Sequence, residues 1–193
     1  MHRIVKILLS SSIIHNFCLA LLGPIYAIFV QNIGGDILSA SSAWAIYTIT
    51  IGILTVIFGH FEQRLSWTRM LIWGRIFTVI GIIGYFFVSN IYQLFAVEFL
   101  LGVAASIKDP VYDSLFSKFL TKKKMSVEWG YQWGLTSIFG GIAAFIGGMV
   151  ATFFGFKILF IIMAASSAVS AGLSILLLRK KTWKQLFDVV HHR

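Results

Sequence analysis

Apolar residues run through this chain in six long stretches separated by short polar breaks. The stretches are Leu8–Val30, Ala40–Phe61, Met70–Ser89, Ile91–Leu115, Trp129–Phe154 and Phe156–Leu178. Each holds close to the ~20 residues that a helix needs to cross ~30 Å of hydrocarbon. Lipid offers the backbone no hydrogen-bond partners, so such spans are helices or strands of a closed barrel. Here apolar residues occupy every face instead of alternating over about ten residues, which excludes the barrel. The pattern predicts an all-α membrane protein, a six-transmembrane-helix bundle over residues 1–182, followed by a basic tail over 183–193. Arg3 and Lys6 precede the first span as they would precede a signal peptide. This span is too long for one and continues through Gly23, Pro24 and Ile25 without a cleavage site.

The polar breaks set the orientation. Arg3 and Lys6, then Arg64 and Arg69, then Lys118, Lys122, Lys123 and Lys124, then Arg179, Lys180, Lys181 and Lys184 fall on one set of loops. The opposite set offers Lys157 alone. By the positive-inside rule both termini are cytoplasmic, which suits a multi-pass protein of the inner (plasma) membrane. In the tail, Trp183, Leu186, Phe187 and Val190 share one helical face. That segment reads either as an interfacial amphipathic helix or as a frayed basic end.

Composition strengthens this picture. Hydrophobic residues make up 58% of the 193 and charged residues 12%, about half the charge of an ordinary soluble domain. The mean hydropathy is +0.87. A net charge of +9 raises the question of nucleic acid. The basic residues, however, sit in short segments between spans, where they hold loops in the cytosol. Cys18 is the single cysteine and lies within a span, so neither a disulfide nor a cysteine metal site forms within one chain. No nucleophile elbow, phosphate-cradling loop or helical metal-binding histidine pair is present. The sequence gives no reason to expect an enzyme, a metal or a cofactor.

The chemistry lies in the charges within the spans, which are costly there and face a cavity or a partner. Glu98 is about seven residues into the fourth span, roughly 10 Å from its outer end. A carboxyl group there suits a proton carrier or a cation-binding site, against the plainer reading of a structural hydrogen bond to a neighbouring helix. His15 and Asn16 lie in the inner half of the first span, where polar groups also hydrogen-bond across helices. Arg75 is placed to snorkel to the cytoplasmic surface. Lys108, Asp109 and Asp113, flanking Pro110, are neighbouring opposite charges suited to locking a closed conformation. Gly134, Gly141 and Gly148 recur every seven residues in the fifth span, and Gly140, Ala144 and Gly148 every four. Such stripes let another helix approach closely, within the chain or from a second copy.

Several segments together resemble the N-terminal six-helix half of the major facilitator superfamily. Gly23-Pro24-Ile25-Tyr26 resembles the end of that family's first helix. The loop from Gly59 through Glu62, Gln63 and Arg64 to Arg69 resembles its cytoplasmic loop motif. There Gln63 replaces the usual aspartate and Glu62 stands one place earlier as a substitute. Glu98-Phe99-Leu100-Leu101-Gly102 occupies an Arg-x-x-x-Gly pattern with the charge reversed, a departure that argues against an efflux mechanism using that arginine. Ala143–Gly148 resembles the antiporter motif without its Gly-Pro, and Gly155–Phe160 the turn into the sixth helix.

The resemblance implies a half-size secondary transporter, working by alternating access as a parallel homodimer in the lipid bilayer. Glu98, His15, Asn16 and Tyr26 would bind the solute or proton. Gly59, Glu62, Arg64, Lys108, Asp109 and Asp113 would form the conformational gate, and Gly134, Gly141 and Gly148 the dimer interface. The alternatives are a non-transporting scaffold, a subunit of a hetero-oligomer, or a fragment of a full-length transporter.

Overall fold

The computed structural model describes residues 3–61 and 66–178. They form helices α1 (Arg3–Leu22), α2 (Tyr26–Asn32), α3 (Ile37–Phe61), α4 (Trp67–Phe87), α5 (Ile91–Phe119) and α6 (Met125–Ile175), with single 3-10 turns at Gly23–Ile25, Lys122–Lys124 and Leu176–Leu178. Glu62, Arg64 and the tail over 183–193 lie outside the described residues.

Among the described residues, five stretches are long and apolar enough to cross a membrane: Arg3–Asn32, Ile37–His60, Trp67–Phe87, Ile91–Phe119 and Lys122–Ile175. The first is not the uninterrupted helix that its hydropathy suggests. Pro24 lacks an N–H and its ring crowds the preceding turn, so α1 stops at Leu22 and the chain restarts as α2 after the 3-10 turn. The last stretch is broken at Gly155, whose φ of 79° and ψ of 170° lie outside any helix. Only glycine adopts such angles without strain. α6 is therefore two helical arms, 125–154 and 156–175.

Helix starts are fixed locally where polar residues allow. Asn90 caps α5 by accepting from the Gln93 backbone N–H at 3.0 Å, while Gln93 Oε1 accepts from the Ser89 N–H at 2.8 Å. Asp36 caps α3 through Ser39, accepting from its hydroxyl at 2.6 Å and its backbone N–H at 2.7 Å. Those bonds hold the Asp36 carboxyl below the ordinary aspartate value.

Packing follows from where small residues permit approach. α4 and α5 run antiparallel along a seam at Gly74, Gly81 and Gly84. A Cβ at these positions would meet Lys108 Cβ at 2.6 Å, Leu101 Cδ2 at 2.5 Å and Val97 Cγ2 at 2.9 Å. α1 packs along α6, joined by buried hydroxyls: Ser11 Oγ lies 2.8 Å from Ser174 Oγ, and Ser170 Oγ donates to the Ser11 carbonyl at 2.8 Å. Across the other arm of α6, Tyr112 Oη donates to Gln132 Oε1 and Gln132 Nε2 to Ser12 Oγ, both at 2.8 Å. Inside a membrane these bonds do what apolar burial does in water, because lipid is no less apolar than the helix surface.

The interior is anchored by Phe29, whose ring meets Phe160 edge-on at 5.0 Å and Tyr85 at 5.9 Å. A second apolar cluster joins Ile4, Leu8, Leu71, Leu115 and Phe116. α3 is the least covered spanning helix, presenting Ile49, Ile53 and Val56 outward.

Candidate functional site

Beside the antiparallel α4–α5 seam and the bend at Pro24 lies a cavity of about 660 Å³, walled by α1, α2, α3, α4, α5 and the second arm of α6. Its walls are largely apolar, with Leu19, Leu22, Ala40, Trp44, Leu101 and Met163 among the lining residues. The polar groups that face it are few: His15, Tyr26, Tyr47, Thr78, Tyr85, Glu98 and Lys108 among them. A mostly apolar pocket with a few convergent polar side chains is the usual form of a small-molecule site.

Glu98 is 3% exposed and its Oε1 accepts two phenolic hydrogen bonds, from Tyr26 Oη and from Tyr85 Oη, each at 2.6 Å. Such lengths are typical of strong O–H···O bonds to a carboxylate. Among the described residues Oε2 takes no hydrogen bond. Three elements meet at this one group. α5 supplies the carboxyl, α2 beyond the Pro24 bend supplies one phenol, and α4 supplies the other. Tyr85 reaches Glu98 because Gly81 and Gly84 bring the two helices together on this side.

Ten residues further along α5, or about 15 Å of helix, Lys108 enters the same cavity. It is 4% exposed and pairs with the carboxylate of its neighbour Asp109, whose side chain is 53% exposed. Gly74 packs directly against Lys108, which brings the next residue, Arg75, into the same layer. Arg75 is 4% exposed, so it does not snorkel as its sequence position suggests; its Nε and Nη1 are buried without a hydrogen-bond partner. Its charged group lies among residues of two neighbouring helices, Cys18 and His15 of α1 and Asp109 and Tyr112 of α5, rather than at the surface. His15 on α1 completes the layer, buried, with Nδ1 also unpartnered.

Of the residues singled out in the sequence, Glu98, Tyr26, His15 and Lys108 come together around one cavity. Asn16 does not join them. It is exposed, and its amide donates to the Ser12 carbonyl at 3.0 Å within α1. Asp109 and Asp113 are exposed on α5, and Gly59 has open space around it. Gly134, Gly141 and Gly148 likewise have no atom within 4 Å of where a Cβ would stand. Tyr85 was not singled out. Its signal was indirect, a tyrosine one residue from Gly84 on a helix whose glycines all face α5. Among the described residues no three His, Cys, Asp or Glu side chains are grouped to hold a metal ion.

Comparison with known proteins agrees with this architecture. The chain is similar to the uncharacterized MFS-type transporter YitZ of Bacillus subtilis (strain 168), at 22% identity over 147 residues, 75% of this chain and 88% of the relative. Its fold is similar to the crystal structure of the POT family transporter PepTSo, with a TM-score of 0.73 at 12% identity over 92% of this chain. The chain spans 37% of that transporter's length. The Major Facilitator Superfamily profile matches residues 8–187. With nearly the whole chain matched, this multi-pass, all-helical membrane protein belongs to the Major Facilitator Superfamily and is a membrane transporter, not an enzyme.

Proposed function

We propose that the chain is a secondary transporter working by alternating access, moving a small solute, and assembled as a parallel homodimer in the inner (plasma) membrane. One observation carries this reading: a carboxyl group, Glu98, stands in the wall of a cavity and is held by phenols from two separate elements. A carboxyl in a low-dielectric wall can take up a proton or hold a cationic group of the solute. Movement of either α2 or α4 changes the hydrogen bonding of that carboxyl, which ties its chemistry to the conformation of the bundle.

The proposed topology has six crossings with both ends cytoplasmic. The 51 residues of α6 would measure about 77 Å as one helix, more than twice the ~30 Å of hydrocarbon. The break at Gly155 supplies the turn that two crossings need. Six crossings would put both termini on one side, and the basic residues Arg69, Lys118 and Lys122–Lys124 favour the cytoplasm for that side. Lys108, Asp109 and Asp113, with Gly59, Glu62 and Arg64, form the gate in this reading. The second bundle that a full transporter contains is supplied by a second copy through the open face of Gly134, Gly141 and Gly148. The Bacillus relative, matched over 88% of its own length, is a comparably short chain, which favours such pairing. The 37% share of PepTSo also fits a second reading in which a different chain supplies the other half.

The test is uptake by reconstituted protein across a pH gradient, with wild type and Glu98→Gln compared. The variant should keep its fold and lose the pH dependence of uptake by tenfold or more. Unchanged pH dependence would refute the role given to Glu98.

A further inference from the structure

The middle of the cavity holds more positive charge than buried groups there neutralise. His15 and Lys108 line the wall, and Arg75 stands behind them, one residue from the Gly74–Lys108 crossing and one turn from the lining residue Thr78. The charges of Arg75 and Lys108 both reach His15, and that of Arg75 reaches Lys108. The nearby carboxylates, Asp109 and Asp113, are exposed; Asp109 pairs with Lys108 and its charge also reaches Arg75, while that of Asp113 reaches Lys108. Arg75 Nε, Arg75 Nη1 and His15 Nδ1 are buried without partners. An ammonium has three donors and a guanidinium five, so this layer has donors to spare, and among the described residues no buried carboxylate faces them. Buried polar groups are ordinarily satisfied, and the exceptions call for a reason such as a ligand.

We infer that His15, Arg75 and Lys108 form an oxyanion-binding subsite, so that the transported solute presents a carboxylate or phosphate group here and an apolar body to Leu19, Trp44 and Met163. This rests on the transporter reading above and adds a substrate class to it. Guanidinium and ammonium groups are the natural partners of both oxyanions. The subsite lies about 15 Å along α5 from Glu98, so the two sites can act on different parts of one solute or on a solute and a proton.

The experiment is binding to the full chain in nanodiscs, read by tryptophan fluorescence, since Trp44 lines the cavity, and by thermal midpoint. The probes are benzoate, phenyl phosphate, neutral benzamide and benzylammonium. Saturable binding of at least one anion, tenfold or more tighter than benzamide, is the expected result. Which anion binds identifies the group. Arg75→Gln and Lys108→Gln should each weaken that binding tenfold or more, while Lys157→Gln, at an exposed position outside the cavity, should not. Anions no tighter than benzamide, no saturable response to either anion at millimolar concentration, or anion binding unaltered in both variants would overturn the subsite. The comparison of benzoate with benzamide on wild type needs no variant to fold. Binding of benzylammonium alone would overturn the subsite and leave the transporter reading intact. Anion binding without uptake by proteoliposomes would uphold the subsite and count against transport.

Discussion

Two glycine-bearing faces of the first arm of α6 carry the same sequence signal and meet opposite surroundings. At Gly147 a Cβ would lie 1.9 Å from the Leu21 carbonyl oxygen, because α1 crosses there with backbone against backbone. At Gly134, Gly141 and Gly148 a Cβ would touch nothing. Gly147 and Gly148 are neighbours in sequence, and only one of them belongs to the fold of this chain. The lesson is that a small residue in a span marks close approach of something, and only the packing says whether that partner is in the same chain. The open row is accompanied by a shallow groove lined by Ala144, Phe145, Gly148, Met149, Thr152 and Phe153.

The largest effect expected from separating the two faces is at Gly147. Gly147→Ala puts a methyl group into a backbone carbonyl, and overpacking of this severity should cost about 3 kcal/mol or more. The thermal midpoint in mild detergent should fall further than for any other single substitution on α6. A midpoint unchanged within a degree or two would mean that α1 and α6 do not cross as described.

Gly141→Leu should do the converse, leaving the thermal midpoint of the single chain near wild type while abolishing the pair. Size-exclusion with light scattering reads this directly, and a variant that pairs as well as wild type would remove the open row from the interface. A finer contrast uses adjacent alanines. Ala143 is fully buried and Ala144 lines the open groove, so Ala143→Leu should destabilise the chain by about 1–3 kcal/mol. Ala144→Leu should act on pairing alone. Equal thermal shifts for the two would erase the distinction between faces. The smallest effect belongs to neither face. Asn90→Ala removes the cap of α5 and should cost about 1 kcal/mol, visible as a small drop in midpoint with pairing intact.

The helical spans and the break at Gly155 were legible in the sequence, because long apolar runs and the glycine between them have direct physical meaning in lipid. The bend at Pro24 was legible as a residue but not as a consequence, since hydropathy runs through it without interruption. What sequence could not tell was which side of each helix faces protein. In a soluble helix the polar side marks solvent, whereas here lipid-facing and buried sides are equally apolar. Hence nothing in the sequence set Gly147 apart from Gly134, Gly141 and Gly148, and Arg75 looked free to reach the surface although it is buried. Tyr85 was missed for the same reason: its partner Glu98 lies on a different helix, and only the crossing at Gly81 and Gly84 brings the two together. Asn16, by contrast, looked like a site residue and turns outward, its amide held by its own helix.

The central claim is that two copies side by side make the working transporter. Native mass spectrometry of the protein released from nanodiscs tests it most directly. The account predicts a species at twice the 21.6 kDa of the chain that Gly141→Leu converts to single chains. A wild-type protein that emerges as single 21.6 kDa chains from every lipid composition tried would contradict it.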